Sequence, residues 1–209
     1  MIIQSLALGP FQTNAYILGC DETKEAVIID PGFEADTILA KVDALGVKVV
    51  KILLTHGHVD HVSAVAAVKA ATDAPVYIHE EDTDQYLMAP KLGQYFGIQT
   101  EDPPPPDHTV AEGDEVTFGK ETLKVVHTPG HTPGGVCFLS ESAGIVVAGD
   151  TLFQRGIGRT DLPGGSMRTL FASIKDKIYA LDDATRVLPG HGPETTVGEE
   201  KTGNPFVTV

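Results

Sequence analysis

The sequence predicts an α/β protein of four layers, in which two sheets pack face to face and helices cover both outer surfaces. Two observations predict this arrangement. The first half of the chain alternates strands with helices, and the second half has a similar order of elements. With 209 residues and 42% hydrophobic content, the chain can bury one substantial core. We therefore expect a single domain over residues 1–209.

The first half begins with a meander of three short strands and then alternates helices and strands. The three strands are apolar or β-branched and are separated by turn residues, over residues 2–8, 14–18 and 26–30. Residues 33–46 place apolar side chains at helical spacing, and Gly46 ends this helix. A buried strand, an Ala-rich helix and a further strand complete the alternation, over residues 47–55, 62–72 and 74–79.

A proline run separates the two halves. Residues 80–88 form a further helical piece, and the four prolines within residues 102–107 exclude a helix or a central strand. We interpret this run as a stiff exposed connector, with a docking motif for a Pro-recognising partner as the alternative. The second half contains five strands and one long helix, the strands over residues 114–119, 121–128, 134–140, 144–150 and 185–190 and the helix over residues 167–181.

Composition excludes several classes of partner. The net charge of -14 repels a phosphate backbone, and Lys and Arg form no continuous cluster, so nucleic acid is not expected as a partner. No apolar run approaches the roughly 20 residues of a membrane helix, and the N-terminus lacks a signal-like basic region. We expect a cytoplasmic protein without a membrane partner. Cys20 and Cys137 lie in apolar, strand-like contexts and are interpreted as buried reduced thiols, with a disulfide or metal role as the alternative.

The segment "THGHVDH" carries the strongest chemical signal. Three of the eight histidines, His56, His58 and His61, fall within six residues, with Asp60 beside the last. In His-x-His, alternate side chains can face the same side of an extended loop and bind one ion. Asp60 and His61, at the start of the next helix, can point to a second position, so one loop can begin two metal sites.

Further side chains of ligand type follow other strands. His131, Asp150 and His191 each come after a strand-like segment and are flanked by glycine or proline. Loop side chains at strand ends converge on a rigid scaffold, so we expect these three beside the histidine motif. The other histidines, at positions 79, 108 and 127, are interpreted as surface or structural residues.

These residues resemble the metallo-β-lactamase superfamily over nearly the whole chain, including "QTNAYIL" and "IIDPG" near the start. The resemblance implies an αββα sandwich with a binuclear metal site. It implies that Asp150 bridges two metals, and it divides the other ligands into a first set of His56, His58 and His131 and a second set of Asp60, His61 and His191. We expect zinc. Iron and manganese are alternatives, because His and Asp ligands suit all three metals.

Within the superfamily, "GDTLFQRGIGRTDLPGGS" and "LPGHGPETTVGEEKTGNPF" resemble the small glyoxalase II-like hydrolases. This implies a thioesterase that cleaves S-2-hydroxyacylglutathione, with a metal-bound hydroxide, held by Asp150 and the metal pair, as the nucleophile. Full-length glyoxalase II enzymes add a C-terminal helical domain that contacts glutathione. This sequence has no such segment, so we expect a related thioester to be accepted and selectivity for the thiol portion to be weak.

Three more residues have two interpretations each. Asp30 either hydrogen-bonds a ligand histidine or serves the turn "DPG". Arg155 and Arg159 follow Asp150 and are cations in an acidic protein, so they can bind a carboxylate of the substrate. The alternative is that one or both pair with Asp161 and brace the loop.

Two other functional classes stay open. Persulfide dioxygenases, oxidoreductases with a single iron bound by two histidines and an aspartate, resemble this chain through "RGIGRTD". A non-catalytic metal-binding protein is the second alternative. His191 in "GHGPETT" favours the hydrolase, because it supplies a ligand for a second metal. An RNA-processing nuclease of the same superfamily is disfavoured by the charge.

Overall fold

The first sheet of the structure, a computed structural model that describes residues 1–208, contains the strands of the N-terminal half. Its six strands lie side by side in chain order: β1 (Ile2–Leu8), β2 (Thr13–Gly19), β3 (Glu25–Ile29), β4 (Lys48–Leu53), β5 (Val76–His79) and β6 (His108–Val110). The first three form the predicted meander and pair antiparallel. The pairs from β3 to β6 are parallel, because helices or long connections return the chain to the same end of the sheet.

The second sheet has the order β14-β13-β10-β9-β8-β7. Its strands are β7 (Glu115–Phe118), β8 (Glu121–His127), β9 (Val136–Ser140), β10 (Ile145–Gly149), β13 (Arg186–Pro189) and β14 (Thr195–Thr196), and a small hairpin joins β11 (Leu152–Phe153) to β12 (Gly156–Ile157). The two halves differ more than the sequence predicts. Only β10 and β13 pair in parallel here, because β7 to β10 follow one another as antiparallel neighbours through short loops.

Seven α-helices are found among residues 1–208: α1 (Ala35–Leu45), α2 (Val59–Val62), α3 (Val65–Thr72), α4 (Thr83–Leu87), α5 (Ala89–Gln94), α6 (Met167–Ser173) and α7 (Val197–Gly203). As predicted, Gly46 ends α1 in a left-handed conformation, with φ of 63°. The helix predicted over residues 167–181 is α6 followed by a π-helical turn at Ile174–Ile178. Within the described residues, no helix combines the length and the apolar character needed to span a bilayer.

The helix predicted over residues 62–72 begins three residues later, as α3, and a separate short helix, α2, precedes it. The backbone N–H of Ala64 donates to the carbonyl of Pro31 at 3.0 Å instead of joining a continuous helical ladder. Ser63 Oγ donates to the Val59 carbonyl at 2.5 Å, which closes the short first helix. Because of this division, α2 is a separate turn that carries Asp60 and His61.

Alternation along the strands separates three apolar cores. On β3, Ile28 packs with Ile38 of α1 in an outer core, whereas Val27 and Ile29 belong to the core between the sheets. On β9, Phe138 belongs to the central core, and its neighbour Cys137 packs with α6 in the other outer core. Successive side chains of a strand point to opposite faces, so the layers follow in the order helix, sheet, sheet, helix. The predicted αββα arrangement is confirmed.

The proline run and the cysteines agree with the sequence-based interpretation. Residues 102–107 have neither helix nor strand, and Tyr86 Oη donates to the Pro104 carbonyl at 2.8 Å, which fastens the connector to α4. Cys20 and Cys137 are both free thiols and both buried. Burial raises the pKa of the Cys137 thiol to about 11.

Candidate metal centre

The seven side chains of ligand type meet at one edge of the sandwich. His56 and His58 follow β4, and Asp60 and His61 lie on α2 directly after them. The other three follow strands of the second sheet, His131 after β8, Asp150 directly after β10 and His191 shortly after β13. The two sheets therefore contribute ligands from both sides of a single cleft.

Among the described residues, four groups of three side chains have ligand atoms close enough to hold an ion, and two of these groups consist entirely of the predicted ligands. In the first, the ligand atoms of His56, His58 and His131 lie within 4.8 Å of one another, and His131 Nε2 is 2.8 Å from His58 Nδ1. In the second, the ligand atoms of Asp60, His61 and His191 satisfy the same limit. Asp60 Oδ2 is 3.2 Å from His191 Nε2 and 3.6 Å from His61 Nε2.

Asp150 lies between the two groups. Its Oδ2 is 3.5 Å from Nε2 of His131 in the first group and 3.6 Å from Nε2 of His191 in the second. Its Oδ1 is 3.3 Å from His61 Nε2. A carboxylate in this position can contribute one oxygen to each of two neighbouring ions.

Four of the five histidines have their Nδ1 held by another group. These contacts are His56 with Thr55 Oγ1 at 3.0 Å, His61 with Asp30 Oδ2 at 2.9 Å, His131 with the Arg159 carbonyl at 2.7 Å and His191 with the Phe11 carbonyl at 3.1 Å. A carbonyl only accepts, so Nδ1 of His131 and of His191 must carry a proton, and in the neutral ring Nε2 then keeps a lone pair for a metal. His58 is the exception, since its Nδ1 faces His131.

Buried polar atoms of the centre lack hydrogen-bond partners within the described part of the chain. These four atoms are Nε2 of His56, His58 and His61 and Oδ1 of Asp150. A buried polar group without a hydrogen-bond partner lowers the stability of the fold by about 1–3 kcal/mol. Several such groups in one place therefore indicate that an ion or another bound group is their partner. A divalent cation binds imidazole nitrogen and carboxylate oxygen, and these residues fit one.

Burial keeps part of the histidine cluster neutral. It lowers the pKa of His58 to about 3, and the neighbouring His131 acts in the same direction. It also lowers the pKa of His56 far below its ordinary value, with the other imidazoles adding to the effect. Neutral imidazole is the form that binds a metal, so both rings are ready to act as ligands at neutral pH.

The carboxylates make the second group attractive to a cation. Burial opposes a charge on His61, but Asp150 and Asp60 outweigh it and raise the pKa of His61 well above its ordinary value. Burial likewise opposes ionisation of Asp150, but the imidazoles around it, His61 first, lower its pKa to about 2. These shifts favour positive charge between the carboxylates, and a metal ion supplies such charge.

Asp30 fulfils both of its sequence-based interpretations. It has a left-handed backbone conformation at the turn, with φ of 51°, and its Oδ2 contacts His61 Nδ1. Its Oδ1 accepts from the backbone N–H of Thr55 at 2.7 Å, and Thr55 Oγ1 donates to its Oδ2 at 2.5 Å. Asp30 therefore fixes the orientation of His61 and the start of the loop that carries His56.

Asp82 supports the loops of the candidate centre, and sequence reasoning missed it. This fully buried carboxylate accepts from the Gly57 N–H at 2.9 Å, from Thr132 Oγ1 at 2.7 Å and from the Gly134 N–H at 2.6 Å. Gly57 lies between His56 and His58, and Thr132 follows His131, so Asp82 ties together the two loops of the first ligand group. Asp82 lies just after β5, a strand that ends at the same sheet edge as β4, and this position was the one sequence feature that could have identified it.

The segment "QTNAY" holds the loop of His191, a role that the sequence did not reveal. Asn14 Nδ2 donates to the Pro189 carbonyl at 2.9 Å and to the Gly192 carbonyl at 2.8 Å. Tyr16 Oη donates to the same Pro189 carbonyl at 2.7 Å. The first sheet thereby positions a ligand that belongs to the second.

The two arginines have different surroundings. Arg159 lines the cleft, but its Nε and Nη2 donate to the two oxygens of Asp161 at 2.8 Å each, which is the bracing arrangement. Arg155 is not among the residues that line the cleft, and its Nη1 approaches the Glu199 carbonyl at 3.5 Å. We therefore retain only Arg159 as a potential substrate contact.

The remaining histidines lie away from the centre. His79 and His127 stack at 4.3 Å between ring centroids, near Glu81, and His127 Nε2 donates to the Pro133 carbonyl at 2.9 Å. His108 is exposed on β6 and stacks on Tyr77. His108 has the predicted surface position, whereas His79, His127 and Glu81 have ligand atoms within 4.8 Å of one another, so the structural role of these two histidines stays a prediction.

The αββα fold and this edge-located cluster define the class of protein. Residues 8–191 match the family described as the metallo-beta-lactamase superfamily, and the chain belongs to this superfamily of metallo-hydrolases. It is 37% identical over 209 residues to the hydroxyacylglutathione hydrolase GloC of Haemophilus influenzae, and the aligned region covers 99% of this chain and 98% of GloC.

Two solved structures are similar over their whole length. The B3 metallo-beta-lactamase BLEG-1 has a TM-score of 0.93 and 41% identity, with both chains fully covered. TTHA1623, solved in a di-iron-bound form, has a TM-score of 0.91 and 43% identity, with 98% of this chain and 100% of that chain covered.

Proposed function

We propose that this chain is a binuclear metallohydrolase that cleaves thioesters, S-2-hydroxyacylglutathione or a related compound among them. The observation that carries the proposal is the position of Asp150, within 3.6 Å of imidazole nitrogens in both ligand groups. Similarity to GloC, which is named for thioester hydrolysis, supports the reaction class. We propose zinc in both sites, with iron or manganese as alternatives, and the di-iron form of TTHA1623 supports iron.

The geometry supports the following division of labour among the residues. His56, His58 and His131 would hold one ion, Asp60, His61 and His191 would hold the other, and Asp150 lies close to both groups. When bound, the metal pair supplies a water of lowered pKa and positive charge for a developing oxyanion. A thiolate leaves readily, so the chain need not supply an acid for it.

A persulfide dioxygenase with one iron is the competing function. It would use two histidines and an aspartate and would leave Asp60, His61 and His191 without a role. The ligand atoms of Asp60, His61 and His191 lie within 4.8 Å of one another, as those of the first group do, which favours the binuclear hydrolase. Hydrolysis takes its oxygen from water, whereas the dioxygenase consumes molecular oxygen.

The reaction class is tested without oxygen. Protein loaded with zinc, iron or manganese should cleave S-lactoylglutathione or another thioester under anaerobic conditions. The His58→Ala variant should lose metal and activity together, and the His108→Ala variant should keep both. Oxygen uptake with glutathione persulfide, together with no thioester cleavage by any metal-loaded form, would establish the dioxygenase instead.

Hydrolysis of β-lactams is a second candidate activity, favoured by the similarity to BLEG-1. A β-lactam is a cyclic amide whose carbonyl can be attacked by the same water. Nitrocefin should therefore be included in the assay. Faster turnover of nitrocefin than of every thioester would reverse the order of the two proposals.

A further inference from the structure

One side of the cleft is built from exposed and half-buried apolar side chains. Met88, Leu92, Tyr95 and Phe96, on and beside α5, line the cavity, and we call these four residues the apolar wall. The ring of Phe11, from the loop after β1, meets Phe96 edge to face, with 6.4 Å between centroids. The cavity has a volume of about 930 Å³.

This concentration of apolar surface is not a general property of the molecule. Seven large hydrophobic side chains are exposed among residues 1–208: Phe11, Leu87, Met88, Tyr95, Phe96, Met167 and Phe206. Four of the seven line this one cavity. Contiguous exposed apolar surface is unfavourable in water and is therefore rare on soluble proteins. Where it occurs, it marks a site at which a ligand or partner covers it.

The apolar wall and the metal centre share the same cavity. His58, Asp60, His131, Asp150 and His191 also line it. The Phe153 ring, another part of the lining, packs edge to face on His191 with 6.0 Å between centroids. A molecule whose reacting bond lies at the centre therefore extends along the apolar wall, which makes a substrate the occupant that this position favours.

Outside the metal centre, the charges of the cavity do not favour an anionic substrate. Apart from the metal-centre residues, its lining includes the carboxylates Glu81 and Asp84. Arg159 is the one Lys or Arg side chain that lines it within the described residues, and Asp161 already engages that guanidinium. The glutathione moiety has carboxylates at both ends, and the cavity offers no unengaged Lys or Arg side chain to receive them.

Building on the proposed thioesterase function, we infer that the substrate is an uncharged thioester with an apolar acyl chain of several carbons. The acyl chain packs against the apolar wall while the thioester carbonyl lies at the metal centre. Water then adds its oxygen to the acyl carbon, the carbon–sulfur bond breaks, and a carboxylic acid and a thiol are formed. The thiol portion faces the open side of the cleft and contributes less to recognition.

The first test compares acyl chain lengths on one uncharged thiol. N-Acetylcysteamine thioesters with two, four, six and eight acyl carbons should show kcat/KM rising about two- to fourfold per methylene, the worth of one buried CH₂. S-Lactoylglutathione should be a poorer substrate than the six-carbon thioester. A flat series, with active hydrolysis, would overturn the inference and leave the thioesterase proposal intact.

Two matched variants locate the effect. Phe96 and Phe206 are 58% and 55% exposed, so truncation of either should leave the fold intact, but only Phe96 lines the cavity. Phe96→Ala should flatten the dependence on chain length, and Phe206→Ala should preserve it. Equal behaviour of the two variants would contradict a role for the apolar wall.

Binding gives a readout that does not depend on turnover. Non-hydrolysable thioether analogues of the same series should bind more tightly as the chain lengthens, measured by calorimetry, and Phe96→Ala should remove the trend. This binding trend is expected even if no thioester is cleaved. Absence of cleavage would reject the proposed thioesterase function but not the inference about the apolar wall. Absence of binding would overturn the inference. If sedimentation then showed a concentration-dependent dimer that Phe96→Ala dissociates, the apolar wall would be assigned to contact with a second copy of the chain.

Discussion

At the scale of single residues, the candidate centre depends on a side chain that holds ligands without facing the cleft. Asp82→Asn places an amide donor against the N–H of Gly57 or of Gly134, whichever way the amide turns. The loops of His56, His58 and His131 then lose their common support. We expect metal affinity to fall about 10–100-fold, as for other partners that orient ligands, with unchanged far-ultraviolet circular dichroism. Chelator competition measures this, with the exposed Asp84→Asn as the control.

Arg159 provides a second test at this scale. Because Asp161 occupies two of its donor nitrogens, we expect Arg159→Ala to change KM and kcat for glutathione thioesters by less than about twofold. Asp161→Ala should behave in the same way if the pair only braces the loop. A several-fold rise in KM for Arg159→Ala, with a fall for Asp161→Ala, would show that the guanidinium binds substrate.

At the scale of elements, α7 fastens the loop that follows Asp150. Its fully buried Glu200 accepts from the Arg155 N–H at 2.9 Å, from Asn204 Nδ2 at 2.9 Å and from Thr195 Oγ1 at 2.8 Å. Glu200→Ala leaves these donors unmatched, so the free energy of unfolding should fall by about 1–3 kcal/mol. Urea denaturation measures it. Thr202→Ala, an exposed change on the same helix, should stay within about 0.5 kcal/mol of wild type.

At the scale of the whole molecule, the metal ions should stabilise the sandwich, because their ligands come from both sheets. We expect two equivalents per chain by elemental analysis, a lower Tm after chelation, and recovery when metal is added back. Ligand at 100 times its Kd adds about 2.7 kcal/mol to a native state. His191→Ala should hold fewer equivalents and His108→Ala should hold two. A binuclear centre would be contradicted if protein incubated with excess metal never bound more than one metal equivalent per chain.

The four layers and the set of ligand-type residues could both be predicted from the sequence. Strand and helix periods are local patterns, and the positions after β4, β10 and β13 follow from where each pattern ends. Local patterns also gave the end of α1 at Gly46 and the proline connector.

Only the tertiary structure decided which nitrogen of each histidine faces the centre, which residues hold its loops and what lines the cleft. Asn14 and the Pro189 carbonyl are 175 positions apart, and Asp82 meets Thr132 across 50. The division of α2 from α3 likewise depends on the distant Pro31 carbonyl. No periodicity within a segment records such contacts, because each exists only after separate layers have packed against one another.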